Sequence, residues 1–184
     1  MASSEVDICN LALGLLGANP IISLADSDPC NDNYAVCRDA CLEDVDWSFA
    51  TTRFLLSSPD VDAPAFGYAY QFMLPPEALR IVEVNENQGE WVREGNRILT
   101  DDARCEVRAI VRVTDVRQFP NAFVQAVATR LAAIIAIPIT NSDSMAKTMM
   151  SLYRAFQAES AGNDGRQGSN QRIVRRDIRR RHRI

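Results

Sequence analysis

The sequence predicts an α+β fold: a helical bundle of about four helices with an inserted small antiparallel β-sheet and an extended basic C-terminal arm. Three observations predict it. The longest apolar segment, residues 119–140, confines its polar side chains, Gln125, Thr129 and Arg130, to a narrow stripe, as a helix buried on most sides does. Between residues 66 and 113 the apolar period drops to two, that of strands with one buried face. Charge, finally, is unevenly divided. The 184-residue chain has a formal net charge of −4, yet residues 1–165 carry 12 basic and 23 acidic side chains, against eight Arg and one Asp in residues 166–184. The body is near −11 and the tail near +7. Such asymmetry marks an appendage that seeks an acidic partner.

With 47% hydrophobic residues, the chain has material for one sizeable core, and a single domain is expected over residues 1–161. The first helix is expected at about 4–17: Ser3 or Ser4 can cap it, Glu5 and Asp7 suit its first turn, and Gly17 followed by Asn19-Pro20 ends it. A second, at about 29–46, sets Tyr34, Cys37, Cys41 and Val45 on one face. Its Asp39, Glu43, Asp44 and Asp46 read as a solvated acidic face. The inserted sheet is expected at about 66–113. Phe66, Tyr68, Tyr70, Phe72 and Leu74 alternate in a first strand, and residues 79–84 form another. Residues 90–100 form a hairpin on Gly95-Asn96, and Cys105, Val107, Ala109, Val111 and Val113 a last alternation.

The central helix is expected at about 120–137, with Pro120 in its first turn and Pro138 stopping it, and with Leu131 and Ile134 at the buried centre. A membrane span needs about 20 apolar residues, whereas this one is interrupted by Gln125 and Arg130, so a core helix is the reading. The last helix, about 143–161, should bury a stripe of Met145, Met149, Leu152 and Phe156. Residues 162–170 contain no apolar side chain and read as a flexible linker. The Arg-rich arm, 171–184, keeps aliphatic residues among its arginines. Arg172, Ile173, Val174, Arg175, Arg176, Ile178, Arg179, Arg180 and Arg181 are therefore the candidate protein-interaction residues.

No catalytic, cofactor or metal site is expected. The only histidine, His182, lies in the arm, so a Ser/His or Cys/His pair has no obvious base in the body. The eight glycines never form a phosphate-cradling pattern. Cys9, Cys30, Cys37, Cys41 and Cys105 are odd in number, fall in apolar patterns and follow nothing that reads as a signal peptide. They are expected as reduced, buried thiols.

Four stretches, taken together, resemble the head-to-tail adaptor (connector) family of tailed bacteriophages, which includes the tail tubular protein A of short-tailed phages. They are Trp47-Ser48-Phe49-Ala50; Tyr70-Gln71-Phe72-Met73-Leu74-Pro75-Pro76 leading into Leu79-Arg80-Ile81; Trp91-Val92-Arg93-Glu94-Gly95 leading to Ile98-Leu99-Thr100; and Phe119-Pro120 followed by Phe123, Ala126, Leu131 and Ala132. The match covers roughly residues 5–160 and excludes the arm.

The resemblance implies a non-enzymatic virion protein at the head-tail junction, assembled in the bacterial host cytoplasm. It implies a homo-oligomeric ring, dodecameric in relatives, between the portal protein and the tail nozzle or other tail proteins. DNA would pass through the bore without specific binding, and no membrane would be involved. Two other classes stand beside it: a nucleic-acid-binding module using the arginine arm, and a peptidoglycan-degrading virion enzyme, an activity credited to some adaptors of related phages.

Overall fold

The computed structural model describes residues 4–56 and 63–164. In chain order the elements are α1 (Glu5–Leu15), α2 (Asp28–Asp44), β1 (Thr51–Leu56), β2 (Tyr70–Met73), β3 (Ala78–Val84), β4 (Trp91–Glu94), β5 (Arg97–Thr100), β6 (Cys105–Val111), α3 (Asn121–Thr140) and α4 (Asp143–Asp164). The fold is α+β, with all the β-structure inserted between the second and third helices.

Ser4 is the cap of α1. Its hydroxyl accepts from the Asp7 amide while the Asp7 carboxylate accepts from the Ser4 amide, so two otherwise orphaned donors are satisfied. After α1, the Asn10 side chain holds the chain reversal by bonding both backbone groups of Ile21, at 2.9 and 2.8 Å. On α2 the face formed by Tyr34, Cys37, Cys41 and Val45 is buried, as its spacing requires.

Around α3 the other helices pack so that eleven of its twenty residues are buried. Ile8 and Leu13 of α1, Leu42 of α2 and Met149 and Tyr153 of α4 share one core with its Phe123, Leu131 and Ile135. Length and composition alone would let α3 cross a membrane, and in the fold 61% of that apolar window is buried inside the protein. Its buried Thr129 needs no outside partner, because its hydroxyl donates to the Gln125 carbonyl of the preceding turn at 2.7 Å.

The helix differs from expectation at both prolines and at Ile134. Pro120 is the residue before the helix, in extended conformation, and not part of the first turn. Pro138 does not stop it. The chain stays helical to Thr140 and closes on Asn141 in the left-handed region, φ 52°. Pro138 sits on the exposed side near the end, so the carbonyl that loses its donor, that of Ile134, is on a solvent-facing turn. Ile134 itself is 39% exposed; the buried centre is Leu131 and Ile135.

On α4 the buried stripe departs from the expected one at Leu152, whose place Tyr153 takes, while Phe156 is half-buried. Met149 and Tyr153 are buried, with Met145, Ala146 and Met150 packed beside them, whereas Leu152 lies at the exposed margin. The helix runs to Asp164, three residues into the segment read as linker. The rest of that segment and the arm lie outside the described residues.

The inserted β-structure is two three-stranded antiparallel sheets, ordered β1-β6-β3 and β2-β5-β4, where one was expected. It begins at Thr51 and not at 66: β1 was not anticipated, although Thr52, Phe54 and Leu56 alternate with Arg53 and Leu55. The strand expected from Phe66 starts only at Tyr70, and Phe66 is 87% exposed. The β4–β5 hairpin turns on Gly95-Asn96 as expected. Gly95 has φ 61° and Asn96 no positive φ, the pattern of a type II′ turn.

The strand β6 explains why there are two sheets. Cys105, Val107 and Ala109 face one way, into a second core with Phe72, Leu74 and Ile98 of the β2-β5-β4 sheet. Ile110 faces the other way, into the helical core. A strand buried on both faces makes its sheet the middle of three layers.

A carboxylate at Leu131 loses its hydration and gains no partner, at a cost of several kcal/mol, while one at Ile134 keeps water on one side. Leu131→Asp is therefore expected to abolish soluble, cooperatively melting protein. Ile134→Asp is expected to fold with its melting temperature lowered by only a few degrees. Circular dichroism melts of the two variants check this, and equal damage at both sites would contradict the burial pattern.

Candidate functional site

The candidate interaction residues Arg172, Ile173, Val174, Arg175, Arg176, Ile178, Arg179, Arg180 and Arg181 lie outside the described residues, so the structure places none of them. Within the described residues, side chains with chemical capacity gather in two regions. One is the acidic end of α2 with its arginines; the other is the far end of the β1-β6-β3 sheet.

The acidic end of α2 is exposed, as expected from sequence, but three of its four acids are paired with arginines. Asp39 accepts from Arg112 Nε at 2.7 Å and from its neighbour Arg38 at 2.8 Å. Asp46 is paired with Arg80 of β3. Asp44 accepts from Arg130 Nη1 of α3 and from the Tyr153 hydroxyl of α4, each at 2.5 Å. The guanidinium of Arg130 also lies 5.2 Å from the centre of the Tyr153 ring. Glu43, Asp44 and Asp46 are exposed, as the solvated reading expects, and Asp39 is half-buried; what that reading lacked is an arginine partner for each of Asp39, Asp44 and Asp46. The physical reason is position: carboxylates at a helix C-terminus oppose the helix dipole, and arginines from three other elements offset that here. The outcome is a clamp joining α2, α3 and α4 through one carboxylate.

Beneath this clamp lie thiols. All five cysteines are free and buried. Burial, above all, pushes Cys9 and Cys41 up to about 12 and Cys37 and Cys105 to about 11. Burial likewise raises Tyr153, reinforced by Cys41 and by its hydrogen bond to Asp44. These four thiols are protonated at neutral pH and present no thiolate nucleophile. The hydroxyl of Tyr34 is buried without a hydrogen-bond partner among the described residues, and its ionisation is raised by burial too.

At the far end of the sheet, Asn85, Glu86 and Asn87 follow one another with φ of 46°, 56° and 58°, an unusual run of left-handed residues. Asn85 holds it. Its amide nitrogen donates to Asp102 Oδ2 at 2.9 Å and to the Arg104 carbonyl at 3.0 Å, while its oxygen accepts from the Glu106 amide at 2.8 Å. Next to it an open groove of about 330 Å³ crosses the uncovered half of the sheet face, lined by Arg53, Leu55, Glu83, Glu106 and Arg108 among others. Glu83 and Arg108 form an ion pair inside it, 2.9 Å from Nε to Oε2. Among the described residues no three His, Cys, Asp or Glu side chains converge as a metal ion requires.

Sequence reading missed Tyr153 because it falls one position from the methionine stripe, and missed Asn85 because its role depends on strands far along the chain. Comparison with models of known protein families gives no match, and no curated protein matches the sequence.

The thiols give a pH expectation. Their folded values lie above the unfolded value of about 8.5, so their contribution to stability is complete below it and is lost as pH rises toward 11–12. The urea midpoint is expected to be level between about pH 7 and 8.5. Above about pH 9 it should fall, as the unfolding free energy drops by up to about 1.4 kcal/mol per thiol per pH unit. A midpoint unchanged at pH 10.5 would mean that the thiols ionise in the folded protein.

Proposed function

We propose that the chain is a head-to-tail adaptor of a tailed bacteriophage: a non-enzymatic virion protein that forms a ring between portal and tail and passes DNA through its bore. One observation carries the reading. The four stretches of the resemblance, separated in sequence, combine in space as two packed clusters. In the first, the Trp47 ring meets Phe123 edge-on at 5.2 Å and Phe49 contacts Phe123 at 5.0 Å and Phe119 at 5.9 Å. Trp47 Nε1 also donates to the Cys41 carbonyl at 2.8 Å, which fixes the end of α2 against the start of α3. In the second, Phe72, Leu74 and Ile98 share a core with half-buried Trp91. Packing of the four stretches against one another in pairs supports the reading.

The charge distribution supports the same reading. A body near −11 repels DNA phosphates and suits a bore through which DNA slides, while an arm near +7 suits an acidic docking surface on the portal or a neighbouring subunit. The eight arginines of residues 166–184 also favour a second reading, direct nucleic-acid binding.

Electron microscopy of the protein mixed with its portal tests the adaptor reading; the expected result is a ring on the portal and a monomer or small oligomer without it. A protein ending at Asn170 separates the two readings. For an adaptor with a docking arm, it folds and fails to join the portal. For a nucleic-acid module, the full protein binds duplex DNA with steep salt dependence and the shortened one does not. Unchanged assembly of the shortened protein would remove the arm from the docking contact.

A further inference from the structure

The β1-β6-β3 sheet has two edges, and they are treated differently. The β3 edge is interrupted by irregularities between Ala78 and Arg80 and between Ile81 and Glu83, and Arg93 Nη1 donates to the Leu79 carbonyl at 2.7 Å. Bulges and a covering side chain are how proteins close an edge to further pairing. The β1 edge has neither. Its six residues pair with β6 without a break, from Thr51 opposite Ile110 to Leu56 opposite Cys105. It contains no proline and no lysine, and Leu55 is 59% exposed. Beyond β6, no described backbone group bonds residues 52–56 from the outer side. Among the described residues, the outward-pointing backbone donors and acceptors of this strand of Thr, Arg, Phe and Leu therefore have no partner.

The charges on this strand indicate what closes it. Arg53 stands directly opposite Arg108, a like-charge pair that costs stability. Arg108 is neutralised by Glu83, whereas Arg53 has no carboxylate partner among the described residues. We infer that the β1 edge is a self-association site, where a second copy of the chain pairs its own β1 antiparallel about a two-fold axis centred on Phe54.

Opposed residues in an antiparallel pair share a face, so such an axis passes through a residue and not between two. Centred on Arg53, it would set two arginines against each other. Centred on Phe54, it sets the two Phe54 rings opposite one another, Thr52 against Leu56, and Arg53 against the Leu55 of the second copy. Leu55 lies beside Glu106 in its own sheet, so the Arg53 stem crosses Leu55 of the other copy and its guanidinium points to that copy's Glu106, whose carboxylate also pairs with Arg104. The result is one continuous six-stranded sheet in which each Arg53, without a carboxylate partner among the described residues, shares Glu106 with Arg104 of the other copy. An arginine-rich arm is a poorer occupant, because it would bring further positive charge to Arg53 and Arg108. A two-fold contact does not propagate around a ring, so this inference concerns the free chain and does not rest on the adaptor reading.

Sedimentation equilibrium of the full chain is expected to show a monomer–dimer equilibrium, with a dissociation constant on the order of 100 μM for so small a contact. Leu55→Lys, at an exposed position, places a lysine opposite each Arg53 and should weaken the dimer about ten-fold or more without altering the monomer's melting temperature. The register is read by cysteines. Arg53→Cys mixed with Leu55→Cys should form a disulfide-linked dimer under diamide, and Arg53→Cys alone should not, the five native thiols being buried.

A chain that stays monomeric up to about 1 mM, a dimer indifferent to Leu55→Lys, or equal cross-linking by Arg53→Cys alone would each overturn the inference. A monomer in which the amides of residues 52–56 that point away from β6 resist hydrogen exchange would assign the edge to the chain's own residues and overturn it too.

Discussion

The enclosure of α3 is the constraint on which the rest of the structure depends. A helix with apolar side chains around most of its circumference has to be surrounded, and each of its sides calls for a different neighbour. α1 and α2 take one region, α4 folds back after Asn141 to take another, and the face of the β1-β6-β3 sheet carrying Ile110 adjoins the same core. The aromatic group of Trp47, Phe49, Phe119 and Phe123 sits where these meet, with Phe119 and Phe123 only 4.8 Å apart. It joins the end of α2, the entry to β1 and the start of α3, so the inserted β-structure leaves and re-enters the helical part at one place.

Enclosing α3 creates an electrostatic problem at Arg130, the one charged side chain on it. Asp44 answers it from α2 and Tyr153 from α4, and the same carboxylate accepts from both. The geometry of this group fixes the rotation of α4: Tyr153 must face inward to reach Asp44. Met145 and Met149 still face the core, and the polar contact accompanies the replacement of Leu152 by Tyr153 at the next buried position.

That case also shows what sequence could and could not reveal. Helix positions and types were legible, because Ser4, Gly17 and the apolar periods act within a few residues of themselves. The burial of Tyr34, Cys37, Cys41 and Val45 was legible for the same reason. Partnerships across the chain were not. Asp39, Asp44 and Asp46 look like solvated charge until the arginines at 112, 130 and 80 are brought to them. Pro138 misled because a proline near an exposed helix end gives up only one hydrogen bond, at a carbonyl that water reaches. β1 was overlooked because its inward face, Thr52, Phe54 and Leu56, is only half-buried. Of the candidate site, the arm's charge was legible and its placement lies outside the described residues.

β6 is where the two halves of the molecule are coupled. Val107 belongs to the core between the sheets and Ile110, three residues on, to the core between sheet and helices. A shift of β6 along its own axis would therefore disturb both cores at once, so the strand holds the outer sheet and the helices in one register. Its partners are unequal: β3 is irregular and covered, whereas β1 is regular and, among the described residues, uncovered. Asn85 bonds the Glu106 amide at the start of β6, and the strained left-handed turn that carries Asn85 is the cost of ending that ladder cleanly. Strain is thus spent at the end of the sheet that the helices leave uncovered, beside the groove lined by Arg53, Glu83 and Arg108. The helical half is closed by apolar contact, and among the described residues the sheet edge without a backbone partner is the β1 side of the middle layer, where Arg53 stands opposite Arg108.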